Sequence, residues 1–200
     1  MMNEGKQKIL EAARATIVEH GIQGTTLRGI AKRAGLSTGA IYHYYSSKEA
    51  ILYDVMDEGL GEIRRIATVS LEDQKEVKEI IQEIFAGMQD RLKKDAENRL
   101  QFYLAHEAML GNEELQLKFK QKYEDWISRV EAIFVRAYGV EQGPSTRAVA
   151  AWTMAAIDGM VLQTLLQTNV VAVEHTDRVL EYLLQDGFAH FFKIIETGRG

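Results

Sequence analysis

Hydrophobic residues recur at every third or fourth position along most of the chain, which is the spacing of one face of an α-helix. The pattern begins with Ile9, Ala13 and Ile17, which predict a first helix that ends at Gly21. No segment shows the sustained alternation of apolar and polar residues that is typical of a half-buried strand. The chain is therefore predicted to be all-α, with roughly nine helices.

Two short helices follow the first one. Thr26 is a candidate N-cap for the first of them, and Gly35 is the residue that ends it. Ser37 is a candidate N-cap for the second, which is predicted to continue to Tyr45. Two short helices joined by a tight turn that contains glycine form a helix-turn-helix, so this motif is predicted at about residues 26–45.

Longer helices are predicted in the rest of the chain. One follows Ser47 and carries a buried stripe as far as Ile63, and Ser70 with Asp73 resembles a capping box for the next. Further helices are predicted after Thr176 and over residues 77–92, 100–110, 113–138 and 144–168. We predict an N-terminal helix-turn-helix DNA-binding domain (1–65) and a C-terminal helical domain (66–200) for ligand binding and dimerisation.

The amino-acid composition excludes several kinds of functional site. The chain contains no cysteine, which excludes disulfides, thiolate metal sites and cysteine nucleophiles. Its first ten residues lack the apolar segment of a signal peptide. The longest apolar run, 148–157, ends at Asp158, and we judge it too short and too polar in its surroundings to span a bilayer. We therefore expect a cytoplasmic protein with no membrane partner, no metal and no cofactor.

Charge is unevenly distributed. The 24 basic and 29 acidic residues give a formal net charge of -5, which by itself argues against a nucleic-acid partner. The first 50 residues contain seven bases and four acids, a balance of +3, and the other 150 residues therefore carry -8. This asymmetry fits an anion-binding module joined to an acidic body, and it equally fits chance.

The exposed side of the second short helix carries hydrogen-bonding groups. Ile41 and Tyr45 are its apolar anchors, and the residues that point away from them form what we call the recognition face: Ser37, Thr38, Gly39, Tyr42 and His43. Hydroxyl and phenol groups donate to phosphate oxygens or base edges. Lys48, at the start of the next helix, adds a positive charge for a phosphate.

The segment Gly35–Glu49, GLSTGAIYHYYSSKE, resembles the signature of the TetR family of transcriptional regulators. The usual pattern in that family is Ser-x-Gly-x-x-Tyr-x-His-Phe-x-x-Lys-Glu, and the spacing agrees throughout. The upstream segment TTLRGIA, residues 25–31, agrees as well. The chain departs from the pattern at Tyr44, where the family usually has histidine, and at Tyr45, where it usually has phenylalanine. Tyr45 still supplies an aromatic anchor, and the Tyr44 phenol can replace the imidazole that contacts phosphate.

The resemblance implies a DNA-binding set made of Thr26, Arg28, Ser37, Thr38, Gly39, Tyr42, His43, Tyr44 and Lys48. In that set Thr26 and Lys48 would clamp phosphates, and Arg28 would reach a guanine edge or a phosphate. Thr38, Gly39 and Tyr42 would face the major groove. Structural alternatives remain open for Ser37 as an N-cap only, for Tyr44 as a packing residue, and for Arg28 as a partner of Glu19 or as a solvated side chain.

The resemblance also implies a dimer and a ligand pocket in the C-terminal domain. In the family the last two helices pair across a two-fold axis, which predicts an interface of Val149, Ile157, Val161, Leu165, Leu180, Leu184, Phe188 and Phe191. The alternative is that one of these helices is central to the core of a monomer. A pocket is expected among the middle helices, with candidates Met88, Arg99, Phe102, Tyr103, His106, Met109, Trp126, Trp152, Asp158 and Gln163. The alternative for each of these is ordinary core packing.

These features together predict a ligand-responsive transcriptional regulator, most simply a repressor. It would bind a near-palindromic double-stranded DNA operator as a homodimer and be released by a small apolar or amphipathic effector. An activator remains an alternative. An all-α enzyme or metal carrier is disfavoured because His106-Glu107 lacks the second histidine of a His-Glu-x-x-His site, position 110 being leucine. A helical protein-interaction module is the other alternative.

Overall fold

The computed structural model describes residues 4–61, 76–168 and 170–196, which fall into two compact units. The first unit contains the described residues up to Leu60 together with Ala96–Phe119, and the second contains Gly61–Asp95 together with the described residues from Lys120 onward. The predicted boundary after residue 65, the stripe position Ile63 and the capping box at Ser70 and Asp73 lie outside the described residues.

The described residues are helical without strands, which confirms the all-α prediction. The first unit contains α1 (Glu4–Gly24), α2 (Leu27–Ala34), α3 (Thr38–Tyr42), α4 (Lys48–Gly59), all but the first residue of α6 (Asp95–Met109) and the first residues of α7 (Glu113–Tyr138). The second contains α5 (Val77–Lys93), the rest of α7, α8 (Pro144–Leu166), α9 (Val173–Tyr182) and α10 (Phe188–Glu196). A π-helical turn, Leu183–Gly187, joins α9 to α10, so the described chain forms nine continuous helical segments.

Local hydrogen bonds set the ends of the short helices where the sequence predicts them. Thr26 and Ser37 each accept a bond, of 3.1 Å in both cases, from the backbone N–H three residues later, and Ser47 does so at 3.0 Å. Gly35 has a left-handed φ of 69°, which a residue with a side chain rarely adopts. These caps fix the directions of α2, α3 and α4 from short-range chemistry alone.

Several helix ends differ from the sequence prediction: α1 continues to Gly24 past a left-handed φ of 71° at Gly21, and α6 begins at Asp95 instead of residue 100. The helix α3 ends at Tyr42 instead of Tyr45, although the N–H groups of Tyr44 and Tyr45 still bond to the Ile41 carbonyl, at 2.9 and 3.0 Å. The last helical segment begins at Val173, so Thr176 lies inside its first turn and is not its cap. Hydrophobic periodicity locates a helix better than it locates the terminal turn.

Four aromatic rings form the centre of the second unit at the junction of α7 and α10. Phe134 lies 5.1 Å from Phe188 and 6.0 Å from Phe192 between ring centroids, and Tyr138 lies 5.9 Å from Phe192. Phe134, Phe188 and Phe192 are buried. Rings at such tilted separations contribute both buried area and favourable quadrupole contacts.

The helix α8 is apolar nearly all round. Contrary to the sequence prediction, its 23 residues are long and apolar enough to cross a membrane by length and composition. Such a helix is weak evidence for a membrane span, because the core helix of a globular unit passes the same test. Here Ala150, Met154 and Val161 on one side of α8 are packed inside the second unit.

Tyr138 forms a hydrogen bond with the π-helical turn. A π turn displaces carbonyls from their α-helical partners, and the Tyr138 hydroxyl donates to the Leu184 carbonyl at 2.5 Å. Burial raises the pKa of Tyr138 well above its usual range, so the phenol keeps the proton that it donates.

We expect Tyr138→Phe to lower the free energy of unfolding by about 1 kcal/mol, because it removes that donor and leaves a carbonyl poorly paired. Urea denaturation followed by circular dichroism measures the difference. Tyr182→Phe is the matched control, since Tyr182 ends the helix that leads into the π turn and its side chain is mostly exposed. An equal effect of the two substitutions would show that the Tyr138 bond contributes nothing specific.

Candidate functional site

The predicted DNA-binding residues all belong to the first unit, and none of them is buried. Thr38 and Lys48 are partly buried, and the other seven are exposed: Thr26, Arg28, Ser37, Gly39, Tyr42, His43 and Tyr44. Ile41 and Tyr45 are buried, as predicted for the anchors of the second short helix. The recognition face therefore consists of polar groups that the protein holds at its surface on α3.

Tyr42 and Tyr44 differ from the other aromatic residues near the motif. Tyr42 is 56% exposed and Tyr44 is 41% exposed, whereas Tyr45 is only 5% exposed. Two exposed phenol rings contribute little to the packing of the first unit, and they are accessible to a partner. The alternative of Tyr44 as a fully packed side chain does not hold, although its contact with DNA stays a prediction.

The caps leave hydroxyl protons available. The oxygens of Thr26 and Ser37 accept the N–H bonds that cap α2 and α3, so each hydroxyl can still donate its own proton. A phosphate oxygen is a suitable acceptor, and the N-terminus of a helix favours a negative charge. The cap role of Ser37 and its predicted DNA role are thus compatible.

Arg28 does not take the partner that the sequence alternative gave it. Glu19 instead pairs with Arg33, and its carboxylate also lies 3.7 Å from His20. The Arg28 side chain is exposed at the second residue of α2.

Lys48 is partly enclosed by other side chains of the first unit. It is the first residue of α4, its ammonium lies 3.6 Å from a Glu49 carboxylate oxygen, and it lies 5.7 Å from the centre of the Tyr103 ring. Its side chain keeps 21% exposure. The ammonium is therefore held near α6 and still reaches solvent.

Asp54 is the polar centre of the first unit, and sequence analysis missed it. The Tyr45 hydroxyl donates to Asp54 Oδ2 at 3.1 Å, and Lys6 Nζ lies 2.7 Å from the same oxygen. Lys118 Nζ approaches Asp54 Oδ1 at 3.7 Å. Burial, together with the Asp54 charge, raises the pKa of Tyr45 far above its usual range. Asp54 thus fixes the aromatic anchor that follows α3.

Further bonds connect α4 and the turn before it to the first residues of α7. Ser46 donates to Glu114 at 2.8 Å, and the Tyr53 hydroxyl donates to the Lys118 carbonyl at 2.9 Å. The Tyr53 ring meets Phe119 edge to face, with centroids 5.5 Å apart. Partners this distant in sequence produce no local signal, so no pattern in the sequence predicts them.

A cavity of about 50 Å³ lies inside the second unit among α5, α7, α8 and the π turn. Of the predicted pocket residues, Met88 alone is in its lining. The lining consists of Ile84, Gly87, Met88, Arg91, Val130, Ile133, Phe134, Thr153, Met154, Ile157 and Leu184. This cavity is almost wholly apolar, which suits the tail of a small ligand.

The other predicted pocket residues lie elsewhere. Arg99, Phe102, Tyr103, His106 and Met109 belong to the first unit, and His106, Met109 and Trp152 are exposed. Gln163 lines a separate open groove of about 370 Å³ beside α9. Trp126 is fully packed, with the Lys122 ammonium 4.4 Å from its ring centre. The prediction relies on the size and type of these side chains, and neither property indicates which side of a helix faces a cavity.

Arg91 and Asp158 form an ion pair inside the second unit. Arg91 Nη2 lies 3.9 Å from Asp158 Oδ1, and the Tyr123 hydroxyl donates to the other carboxylate oxygen. Only 5% of the Arg91 side chain is exposed. Asp158 was predicted as a pocket residue, but Arg91 lines the cavity and Asp158 does not.

Five residues of the predicted dimer interface face inward. Val149, Ile157, Val161, Leu184 and Phe188 are buried within the single chain, so they cannot present a surface to a second copy. Leu165 and Leu180 are partly buried, and Phe191 is exposed. These five positions lie on the inner side of their helices, and a helix that is apolar all round gives no signal of which side faces outward. Pairing of the last helices in a dimer stays a prediction.

The exposed side of α8 is instead defined by a different set. Its positions are spaced three and four residues apart, and we call them the α8 outer face: Ala148, Trp152, Ala155, Gly159, Leu162 and Leu166. Gly159 is partly buried, and the other five are exposed. Trp152 is 59% exposed and Leu166 is 62% exposed. On the last helical segment, Tyr182, Phe191 and Ile194 are exposed as well.

Two family models cover most of the chain. Residues 9–55 match the model for bacterial regulatory proteins of the tetR family, and residues 72–189 match the model for the C-terminal part of BetI-type transcriptional repressors. The chain belongs to the TetR family of transcriptional regulators. It is therefore a DNA-binding regulator with a helix-turn-helix and not an enzyme.

Curated relatives share about a quarter of their residues with this chain over the matched segments. The chain is 25% identical over 139 residues to the uncharacterized helix-turn-helix regulator YfiR of Bacillus subtilis, covering 68% of this chain and 65% of that protein. It is 24% identical over 133 residues to the transcriptional repressor KstR2 of Rhodococcus jostii, covering 64% of each. The chain thus spans just under two thirds of the length of these relatives.

Solved structures show the same fold. The fatty acid degradation regulator FadR of Bacillus halodurans matches with a TM-score of 0.66 and 19% identity over 92% of this chain and 96% of that one. GusR of Salmonella enterica matches with a TM-score of 0.62 and 21% identity over 92% and 97%.

Proposed function

We propose that this regulator is a cytoplasmic repressor that binds a near-palindromic operator as a homodimer and is released by a small effector. The observation that carries the proposal is the recognition face, whose polar groups lie at the surface along α3 and its two cap residues, while Ile41 of α3 and Tyr45 just after it are buried anchors. A helix of this kind enters the major groove, and its caps and flanking cations contact the backbone.

The distribution of charge favours sequence-specific DNA contacts over non-specific electrostatic attraction. The first 50 residues carry +3, and the remainder of the chain carries -8. An acidic body is repelled by DNA and adds little to non-specific affinity, which depends on the number of phosphates neutralised. Binding through a small basic module therefore relies more on the contacts of the recognition face.

The α8 outer face supports the homodimer. Trp152, Leu162 and Leu166 are large apolar side chains at the surface, and Ala155 and Gly159 between them let a second helix approach closely. A two-fold axis places the same face of each copy against the other. It also gives the two copies of α3 the symmetry of a palindrome.

The helix α7 supports a response to an effector. Lys118 and Phe119 contact α4 side chains, and Val130, Ile133 and Phe134 of the same helix line the cavity. An effector that binds one arrangement of these helices more tightly shifts the population toward it. We propose that this shift changes the separation of the two copies of α3 and so releases the operator.

Selection of bound sequences from random duplex DNA tests the proposed function. We expect enrichment of a near-palindrome whose half-sites are separated by about one helical turn, roughly 10 base pairs, or a multiple of it. Enrichment of a single asymmetric half-site, or of no sequence, would contradict dimeric operator binding.

Gly39→Leu provides a matched variant for this selection. A Cβ at Gly39 would meet nothing closer than Ser37 Oγ at 3.8 Å, so the free protein has room for a side chain there. We expect the variant to keep its thermal midpoint and to lose enrichment, because the side chain holds α3 away from the bases. Unchanged enrichment would place the DNA on another surface.

A further inference from the structure

Asp54 joins four separate segments of the first unit at one carboxylate. Tyr45, which follows α3, donates its hydroxyl to Oδ2 at 3.1 Å, and Lys6 of α1 lies 2.7 Å from the same oxygen. Lys118 of α7 lies 3.7 Å from Oδ1. An ammonium group has donors and no acceptor, and burial raises the pKa of Tyr45, so the phenol keeps its proton and donates. Asp54 is therefore the acceptor that all three groups share.

The backbone of Tyr45 closes the end of α3. Its N–H donates to the Ile41 carbonyl at 3.0 Å, and Ile41 is completely buried. The Lys6 ammonium lies 5.5 Å from the centre of the Tyr45 ring, a cation contact that adds to the hydroxyl bond with Asp54. A movement of the Tyr45 ring therefore moves the last turn of α3, where Tyr42 of the recognition face lies.

The hydroxyl at position 45 is a feature of this chain. The TetR pattern has phenylalanine where this chain has Tyr45, and a phenyl ring fills the same space without a hydroxyl. The substitution Tyr45→Phe thus removes the bond to Asp54 and leaves the buried ring in place. The effect of this polar contact on α3 can therefore be measured separately from the packing of the anchor.

We propose that Asp54 is a positioning residue for DNA recognition, which acts through the Tyr45 hydroxyl to hold the recognition face in the orientation that reads the operator. The inference rests on the proposed recognition face and adds a residue outside the predicted DNA-binding set. Hydrogen bonds to base edges require a narrow range of distance and angle. Attraction to phosphates falls slowly with distance and tolerates displacement. Loss of Asp54 should therefore weaken specific binding more than non-specific binding.

Hydrogen exchange of the free protein tests whether Asp54 holds the end of α3. Tyr45→Phe and Asp54→Ala should each speed exchange of the amide of residue 45 at least about threefold, because the last turn of α3 opens more often. Glu58→Ala is the matched control, since Glu58 is also an acid of α4 and pairs with Arg14 of α1, at 2.7 Å. The control should leave that amide unchanged. Unchanged exchange in both test variants would overturn the proposal.

DNA binding tests the effect on recognition. Gel retardation at fixed salt measures the ratio of two affinities, for the duplex that the wild type enriches and for a shuffled duplex of the same length. We expect this ratio to fall about threefold per half-site, and so about tenfold for two half-sites, in Tyr45→Phe and at least as far in Asp54→Ala. A purely structural defect lowers the folded fraction, which cancels in the ratio.

The double variant shows whether Asp54 acts through Tyr45. The bond needs both groups, so adding Tyr45→Phe to Asp54→Ala should lower the ratio no further. Asp54→Ala also removes a negative charge and should raise the affinity for both duplexes evenly. Glu58→Ala removes the same charge from the same helix, and it should raise both affinities and keep the ratio.

Two results of the binding experiment would contradict the proposal: an unchanged ratio in Tyr45→Phe, or a double variant whose loss is the product of the two single losses. If Asp54→Ala does not fold, Tyr45→Phe still decides through both measurements. If the wild type enriches no duplex, the proposed function fails, whereas exchange in the free protein still decides whether Asp54 holds the end of α3. A wild type that enriches its operator while Tyr45→Phe keeps the ratio overturns the role of Asp54 alone.

Discussion

Trp152→Glu is expected to convert the protein from a dimer into a monomer at micromolar concentration. Trp152 is the largest exposed side chain of the α8 outer face, and two-fold symmetry would bury two glutamates at once. A desolvated carboxylate costs several kcal/mol unless it is paired. Loss of the second half-site contact should then reduce operator affinity by at least about 100-fold, because the two recognition faces no longer bind as one linked unit.

Light scattering gives the mass, and gel retardation gives the operator affinity. Leu117→Glu is the matched control, since it places the same charge at an exposed leucine in the first unit. The control should remain dimeric and keep its affinity. A dimeric Trp152→Glu protein with normal operator binding would show that the copies associate through another surface.

Tyr42→Ala is expected to weaken operator binding by about tenfold or more, with the fold and the dimer unchanged. The phenol is exposed on the recognition face, and one lost contact to a base or a phosphate recurs at both half-sites. Gel retardation at fixed salt measures the loss, and circular dichroism confirms the fold. Met109→Ala is the control, because Met109 is exposed in the same unit on α6.

The salt dependence separates Tyr42 from Lys48. Lys48→Ala should weaken binding evenly across sequences and reduce the slope of log affinity against log salt by about one. Tyr42→Ala should leave that slope unchanged, because a phenol releases no counterion. Unchanged affinity in both variants at moderate salt would remove the recognition face from the DNA contact.

The first unit was predictable because its signals are local. Thr26, Ser37 and Ser47 cap helices through bonds that span three residues, and Gly35 supplies a turn that few other residues adopt. The exposed recognition face then follows from the burial of Ile41 between its members and of Tyr45 after them. Asp54 was missed, because Lys6 and Lys118 approach it from distant parts of the chain.

The sequence predicts which segments of the second unit are helical, but it does not predict which side of each helix is buried. The pattern predicts α5, α7 and α8 to within a few residues, yet Val149 and Phe188 face inward and Trp152 faces outward. A helix with apolar residues on every side has no preferred face until its neighbours are in place. For the same reason the sequence did not indicate that Met88, alone among the ten predicted pocket residues, lines the apolar cavity.

The sequence by itself determined the all-α class, the helix-turn-helix and the polar surface of α3, since caps, glycine turns and short periodic helices depend on interactions within a few residues. Only the tertiary structure decided which side of α8 is exposed, that Asp54 holds Tyr45, and that Arg91 is buried beside Asp158. Those features depend on contacts between segments far apart in the chain, and burial of a charge or an apolar face is a property of the packed unit.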